Sequence, residues 1–181
     1  MPRMRVVVPE EKPVLVEFTQ DGLPGIAFMN GALVEFEPKL VFRWHLSVML
    51  ELEELNEHGM PSRLEREMVD PFGEALDDLL KGPDPEKPNA LFLARITWNT
   101  TRELIYRVYD AAVANRTLEE LISAKSYPRE FDYRIDDDLT SFRRRRIVTA
   151  WKTGLSTYKN TGKRRRRFIA FREDPEIKNG W

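Results

Sequence analysis

Leu40-Val-Phe-Arg-Trp-His-Leu-Ser-Val-Met-Leu-Glu-Leu52 alternates along its whole length. Leu40, Phe42, Trp44, Leu46, Val48, Leu50 and Leu52 share one face. Val41, Arg43, His45, Ser47, Met49 and Glu51 share the other. A period of two over so many residues is the pattern of a strand with one buried face. A strand is therefore expected over 40–52, and the other elements are placed from it.

Downstream, Asn56 to Pro61 reads as a loop and a helix is expected from Ser62. Ser62 with Glu65 three residues on predicts a capping box, each side chain serving an orphan backbone donor of the first turn. Leu64, Met68, Phe72, Leu76 and Leu79 or Leu80 then line one face at helical spacing. Pro71 has no amide hydrogen, so a kink is expected there, or a second helix capped by Asp70. Gly82 to Pro88 is a loop. Ala90 to Trp98 and Arg102 to Tyr109 are alternating segments three residues apart and read as a hairpin. Asp110 caps a helix to about Lys125, with Val113, Leu118, Leu121 and Ile122 as its buried stripe. Thr117 and Glu120 suggest a break near Asn115. Phe131, Tyr133 and Ile135 mark a last strand.

Upstream, Val14 to Thr19 and Gly25 to Phe36 read as strands around the turn signals Asp21-Gly22 and Asn30-Gly31. From residue 40 the order is strand, helix, strand, strand, helix, strand. The expected fold is α+β: a ferredoxin-like split βαβ antiparallel sheet with two helices on one face and extra N-terminal strands.

At 181 residues the chain suits one domain, over 1–142, and a C-terminal extension, over 143–181, expected to be partly helical. Hydrophobic residues make up 41% and charged residues 33%, which suits a folded chain rather than a disordered one. Arg43 and His45 interrupt the longest apolar stretch, so no transmembrane segment is expected. Residues 1–11 hold no apolar run of signal-peptide length. The absence of cysteine excludes disulfides, thiolate metal sites and cysteine nucleophiles, and fits a cytoplasmic location. The net charge of −1 conceals an asymmetry. Residues 143–181 carry 13 Lys/Arg against 3 Asp/Glu, and residues 1–142 carry 16 against 27.

Several linked segments carry a family resemblance. These are Phe42-Arg-Trp-His-Leu-Ser, Gly59-Met-Pro-Ser, Leu91-Phe-Leu-Ala-Arg-Ile-Thr-Trp, Arg102-Glu-Leu-Ile-Tyr-Arg-Val-Tyr-Asp and Arg129-Glu-Phe-Asp-Tyr-Arg-Ile-Asp. Together they resemble the bacterial domain of unknown function 695 over about residues 15–142. The resemblance implies a ferredoxin-like domain distantly related to the regulator of ribonuclease E activity B, and no catalytic residues. The chain departs from that family at Thr100-Thr101, where a glycine is frequent, and at Phe142, where a tryptophan is.

If the helices cover the face bearing Trp44, Leu46, Trp98, Tyr106 and Tyr133, alternation places Arg43, His45, Ser47, Arg95, Thr97, Glu103, Arg107, Tyr109, Asp132 and Arg134 on the other. Open sheet faces of this kind hold single-stranded RNA through basic and aromatic side chains. Arg43, His45, Arg95, Arg107, Tyr109 and Arg134 are thus candidate contacts. Only Tyr109 supplies an exposed ring and acids interleave, so cross-strand ion pairing is the preferred reading. His58 lies among Glu53, Glu54 and Glu57 without metal-ligand spacing, and no metal site is expected. No G-x-S-x-G elbow, phosphate loop or calcium loop occurs, and no cofactor is expected.

The extension carries two arginine runs, Arg143, Arg144, Arg145, Arg146 and Arg164, Arg165, Arg166, Arg167. Between them Ile147, Val148, Trp151, Leu155 and Tyr158 fall on one face of a helix. Such a segment suits a phosphate backbone, an anionic membrane surface, an acidic protein, or the chain's own acidic domain. The expected function is therefore a non-enzymatic regulatory or protein-interaction module with an unknown protein partner. The alternative is RNA or DNA binding through the tail. A small hydrolase using His45 is the weakest of the three.

Overall fold

Two hairpins anchor the sheet, and each closes on two residues of positive φ. Asp21 and Gly22 sit at φ 52° and 79°, and Asn99 and Thr100 at 44° and 67°. Paired left-handed residues make the tight turn whose twist matches flanking antiparallel strands. In the computed structural model, which describes residues 7–33 and 41–137, these turns join β1 (Pro13–Gln20) to β2 (Leu23–Asn30) and β4 (Ala90–Trp98) to β5 (Thr101–Val108). The other elements are a 3-10 turn (Gly31–Leu33), β3 (Trp44–Glu51), α1 (Arg63–Lys81), α2 (Ala111–Ala124) and β6 (Phe131–Asp137). The chain divides into two units, Met1–Arg143 and Arg144–Trp181, and the second lies outside the described residues.

The fold is α+β. Six strands form one antiparallel sheet in the order β1-β2-β4-β5-β3-β6. Leu46, Val48 and Leu50 are fully buried in the middle of it and pair with Tyr106, Leu104 and Arg102 on β5. Val69, Phe72, Leu76 and Leu80 from α1 and Ala114 and Leu118 from α2 join the same core. Each large aliphatic side chain buried this way contributes roughly 1.5–3 kcal/mol. A smaller cluster of Leu33, Phe42 and Leu91, with Val8, Val41 and Leu93 against it, forms a second core.

The strand expected over 40–52 is shorter. It runs Trp44–Glu51, with Val41 in a turn and Phe42 in a bend before it, Arg43 irregular between, and Leu40 outside the described residues. Phe42 is buried in the second core instead of extending the alternating face. Likewise, β2 ends at Asn30. The Asn30 side chain accepts from the amides of Lys12 and Ala32, both at 3.1 Å, and so turns the chain into the 3-10 segment.

Helix α1 starts at Ser62, whose hydroxyl accepts from the Glu65 amide at 3.1 Å. The expected box is only half formed, because the Glu65 carboxylate goes elsewhere. It accepts from the amides of Glu53 and Glu54 and from Arg129. Pro71 lies within a single helix, and Asp70 binds Arg102 instead of capping a second one. The buried stripe is Glu65, Val69, Phe72, Leu76 and Leu80, whereas Leu64, Met68 and Leu79 are exposed. Helix α2 is also unbroken. Asp110 caps it by accepting from Ala112 and Val113, while the Thr117 hydroxyl bonds back to the Val113 carbonyl. Its buried residues are Ala111, Ala114 and Leu118, and Val113 is exposed.

Candidate functional site

A bulge in β4 decides which side chains meet. Phe92 pairs with Tyr106, but the register shifts before Ala94, so Arg95 pairs with Leu104 and Thr97 with Arg102. One extra residue inverts every later side chain. Arg95 and Thr97 therefore stand on the helix side, and Trp98 stands on the open side, the reverse of the alternation expected from sequence.

On the helix side this assembles an arginine cluster. The Arg102 side chain is 5% exposed and meets Asp70 of α1 through Nη1, while its Nε donates to Thr97 Oγ1 at 3.2 Å. Burial works against the Arg102 charge and lowers its pKa, with Asp70 opposing that shift. Arg95 Nη1 lies 3.7 Å from the same Asp70 oxygen. Its guanidinium also sits 5.5 Å from the centre of the Phe28 ring, a cation–π contact. Arg66, one turn before Asp70, lines a shallow hollow with Asp70, Arg63, Glu67 and Pro71.

The open side keeps His45, Arg107 and Arg134 in the places alternation gives them, because β3 pairs in regular register with both neighbours. His45 stands opposite Arg107 and Asp136, and Arg134 stands opposite Ser47. The charges there meet one another. Arg134 Nε lies 2.7 Å from Asp136, and the Ser47 hydroxyl donates to Glu103 at 2.5 Å. Arg107 is 7% exposed beside Leu91 of the second core, which removes it from any ligand-facing surface. Tyr109 follows β5, is 60% exposed and meets Phe42 edge-on at 6.2 Å. Arg43 precedes β3, where strand alternation does not apply. Its guanidinium lies 5.3 Å from the Trp44 ring and pairs with Asp137. Arg143 to Arg146, Trp151 and Arg164 to Arg167 lie outside the described residues.

A second charged centre had no motif to signal it. Glu65 is fully buried and binds Arg129 in bidentate fashion at 2.9 and 2.8 Å. The Arg129 hydrogen bonds lower the Glu65 pKa, burial opposes this, and the amides of Glu54 and Glu53 add to the lowering. Arg129 also lies 3.3 Å from Glu53. The network ties the start of α1 to the segments entering β6 and leaving β3, a structural role. His58 is exposed beside Glu57 at 3.4 Å. Among the described residues no His, Asp or Glu group is arranged to hold a metal, and no helix is long and apolar enough to cross a membrane.

The sheet also presents an outer edge. β1 pairs only with β2, and among the described residues no strand covers its other side. Leu15 and Val16 on it are 64% and 38% exposed. The chain matches no family model, no curated protein and no solved structure.

Proposed function

We propose that the chain is a non-enzymatic regulatory or protein-interaction module whose strand β1 takes up an extended strand of a protein partner. The observation that carries this is the outer edge of β1, which no strand covers among the described residues. In a hairpin closed by two residues, Gln20 and Leu23 form the hydrogen-bonded pair next to the turn. Phe18, Val16 and Val14 then also turn their backbone groups toward β2, and Thr19, Glu17 and Leu15 turn theirs outward. Strand addition at such an edge draws affinity from main-chain hydrogen bonds. Glu17 is the only ionisable side chain in β1, so the fitting partner is an apolar strand with Lys or Arg opposite it.

Leu15→Pro deletes one outward amide and keeps the bonds to β2. The expected result is that proteins captured from a cell extract by the full-length chain are lost with this variant. Equal capture by both chains overturns the reading.

As part of this proposal, the region from β3 onward is a ferredoxin-like split βαβ unit akin to the domain of unknown function 695. Its support is the strand order β6-β3-β5-β4, with β5 lying between β3 and β4 and antiparallel to both. A second reading, RNA or DNA binding through the tail, is favoured by the two arginine runs of the basic extension. A salt titration of the full-length chain against RNA and DNA oligonucleotides tests it, with binding expected to fall steeply as salt rises.

A further inference from the structure

We propose that the arginine cluster around Asp70 is a binding site for a phosphate monoester dianion, on the helix side of the sheet and independent of the β1 edge. Two guanidiniums, Arg95 and Arg102, meet one carboxylate, Asp70, and Arg66 lines a hollow together with that carboxylate. Arg63 adds no charge to this balance, because Glu67 holds it at 2.8 Å. Arg95 and Arg102 against Asp70 leave one positive charge and Arg66 on the wall of the hollow adds a second, within a unit whose sequence is strongly acidic. That excess matches a dianion better than a single carboxylate.

The individual arginines divide the task. Arg102 is committed to Asp70 and Thr97 and fixes the floor of the site. Arg95 is different: its side chain is 34% exposed, and among the described residues it makes one ion pair at 3.7 Å and no hydrogen bond. A guanidinium carries five N–H donors in a fixed fork that fits phosphate oxygens in pairs. The Phe28 ring, 5.5 Å from the guanidinium carbon, gives that fork a cation–π partner that favours its position before an anion binds. The Arg66 side chain makes no ion pair or hydrogen bond among the described residues and lines the same hollow as Asp70. The β4 bulge is what builds the site, since a regular strand would send Arg95 to the opposite face.

The test is a titration of the full-length chain with inorganic phosphate at constant ionic strength, followed by amide and arginine Nε–H chemical shifts. Saturable shifts are expected at Arg66, Asp70 and Arg95. Arg95→Gln should weaken binding by about tenfold or more, the usual loss for a hydrogen bond to a charged group, and Arg66→Gln should weaken it less. Arg134→Gln, on the other sheet face, should leave it unchanged. Shifts confined to residues 143–146 and 164–167, equal binding by the Arg95→Gln variant, or no saturation would each overturn the assignment. A parallel sedimentation with phosphatidic acid vesicles separates the sources of the phosphate: Arg95-dependent pelleting indicates a lipid headgroup, and its absence alongside saturable phosphate binding indicates a free phosphate ester.

Discussion

Two residues carry costs that substitution can relieve. The Tyr106 ring is wholly buried at the centre of the core, and its hydroxyl has no hydrogen-bond partner among the described residues. Burial pushes its pKa upward, and the nearby Asp77 charge adds to this. Tyr106→Phe removes the orphan hydroxyl and keeps the ring, so chemical denaturation should find it about 1 kcal/mol more stable. Thr100, a β-branched residue, is held at φ 67° by hydrogen bonds from its amide to the Gly59 carbonyl and from the Leu52 amide to its own carbonyl. Thr100→Gly should add about 1 kcal/mol, measured the same way, by relieving that left-handed strain. Glu65 acts in the opposite sense. Its pKa is depressed, so its contribution is complete above the ordinary carboxylate value of 4.5 and is lost as pH falls through the lower folded value. Glu65→Gln should cost about 3 kcal/mol at neutral pH by leaving Arg129 without its buried partner. The gap between variant and parent should close as the solution is acidified.

At the scale of elements, α1 shows why periodicity alone misplaces a face. Leu64, Met68, Phe72, Leu76 and Leu79 or Leu80 have good helical spacing, yet the buried row keeps Phe72, Leu76 and Leu80 and replaces Leu64 and Met68 by Glu65 and Val69. Arg129 makes the difference, because it lets a glutamate occupy the end of an apolar stripe. Leu76→Ala should therefore cost about 2–5 kcal/mol, while Leu79→Ala at a half-exposed position should cost under about 1 kcal/mol. Thermal melts of the two variants separate the readings, and similar losses would restore the stripe read from sequence. The bulge in β4 is the sheet's counterpart. Leu91-Phe-Leu-Ala-Arg-Ile-Thr-Trp98 gives no Gly or Pro to announce it, so strict alternation moved Arg95 and Thr97 to the wrong face.

For the whole molecule, charge is the dominant feature, and it is distributed unevenly along the chain. If the tail grips nucleic acid, each arginine on a phosphate releases a counterion, and the salt slope counts them. Changing Arg164 to Arg167 together to Gln should lower the slope on single-stranded oligonucleotides by roughly 3, at about 0.7 for each contact. An unchanged slope would remove that run from the interface. The open sheet face offers less to such a ligand than its sequence suggested. Arg107 is buried, Arg134 is paired with Asp136, and Arg95 has left for the other side.

Sequence alone determined the element order, the tight turn at Asp21-Gly22, the caps at Ser62 and Asp110 and the middle of the core strand, because these follow from local sterics and from short-period burial. It also located the charge asymmetry, which composition records directly. Only the tertiary structure decided which helix flank is buried, where β4 slips by one residue and which arginines meet Asp70. Those outcomes depend on pairings between residues far apart in the chain: Glu65 with Arg129, Asp70 with Arg102, and Phe28 with Arg95. Local periodicity carries no information about such partners, and a single inserted residue is enough to invert what it predicts.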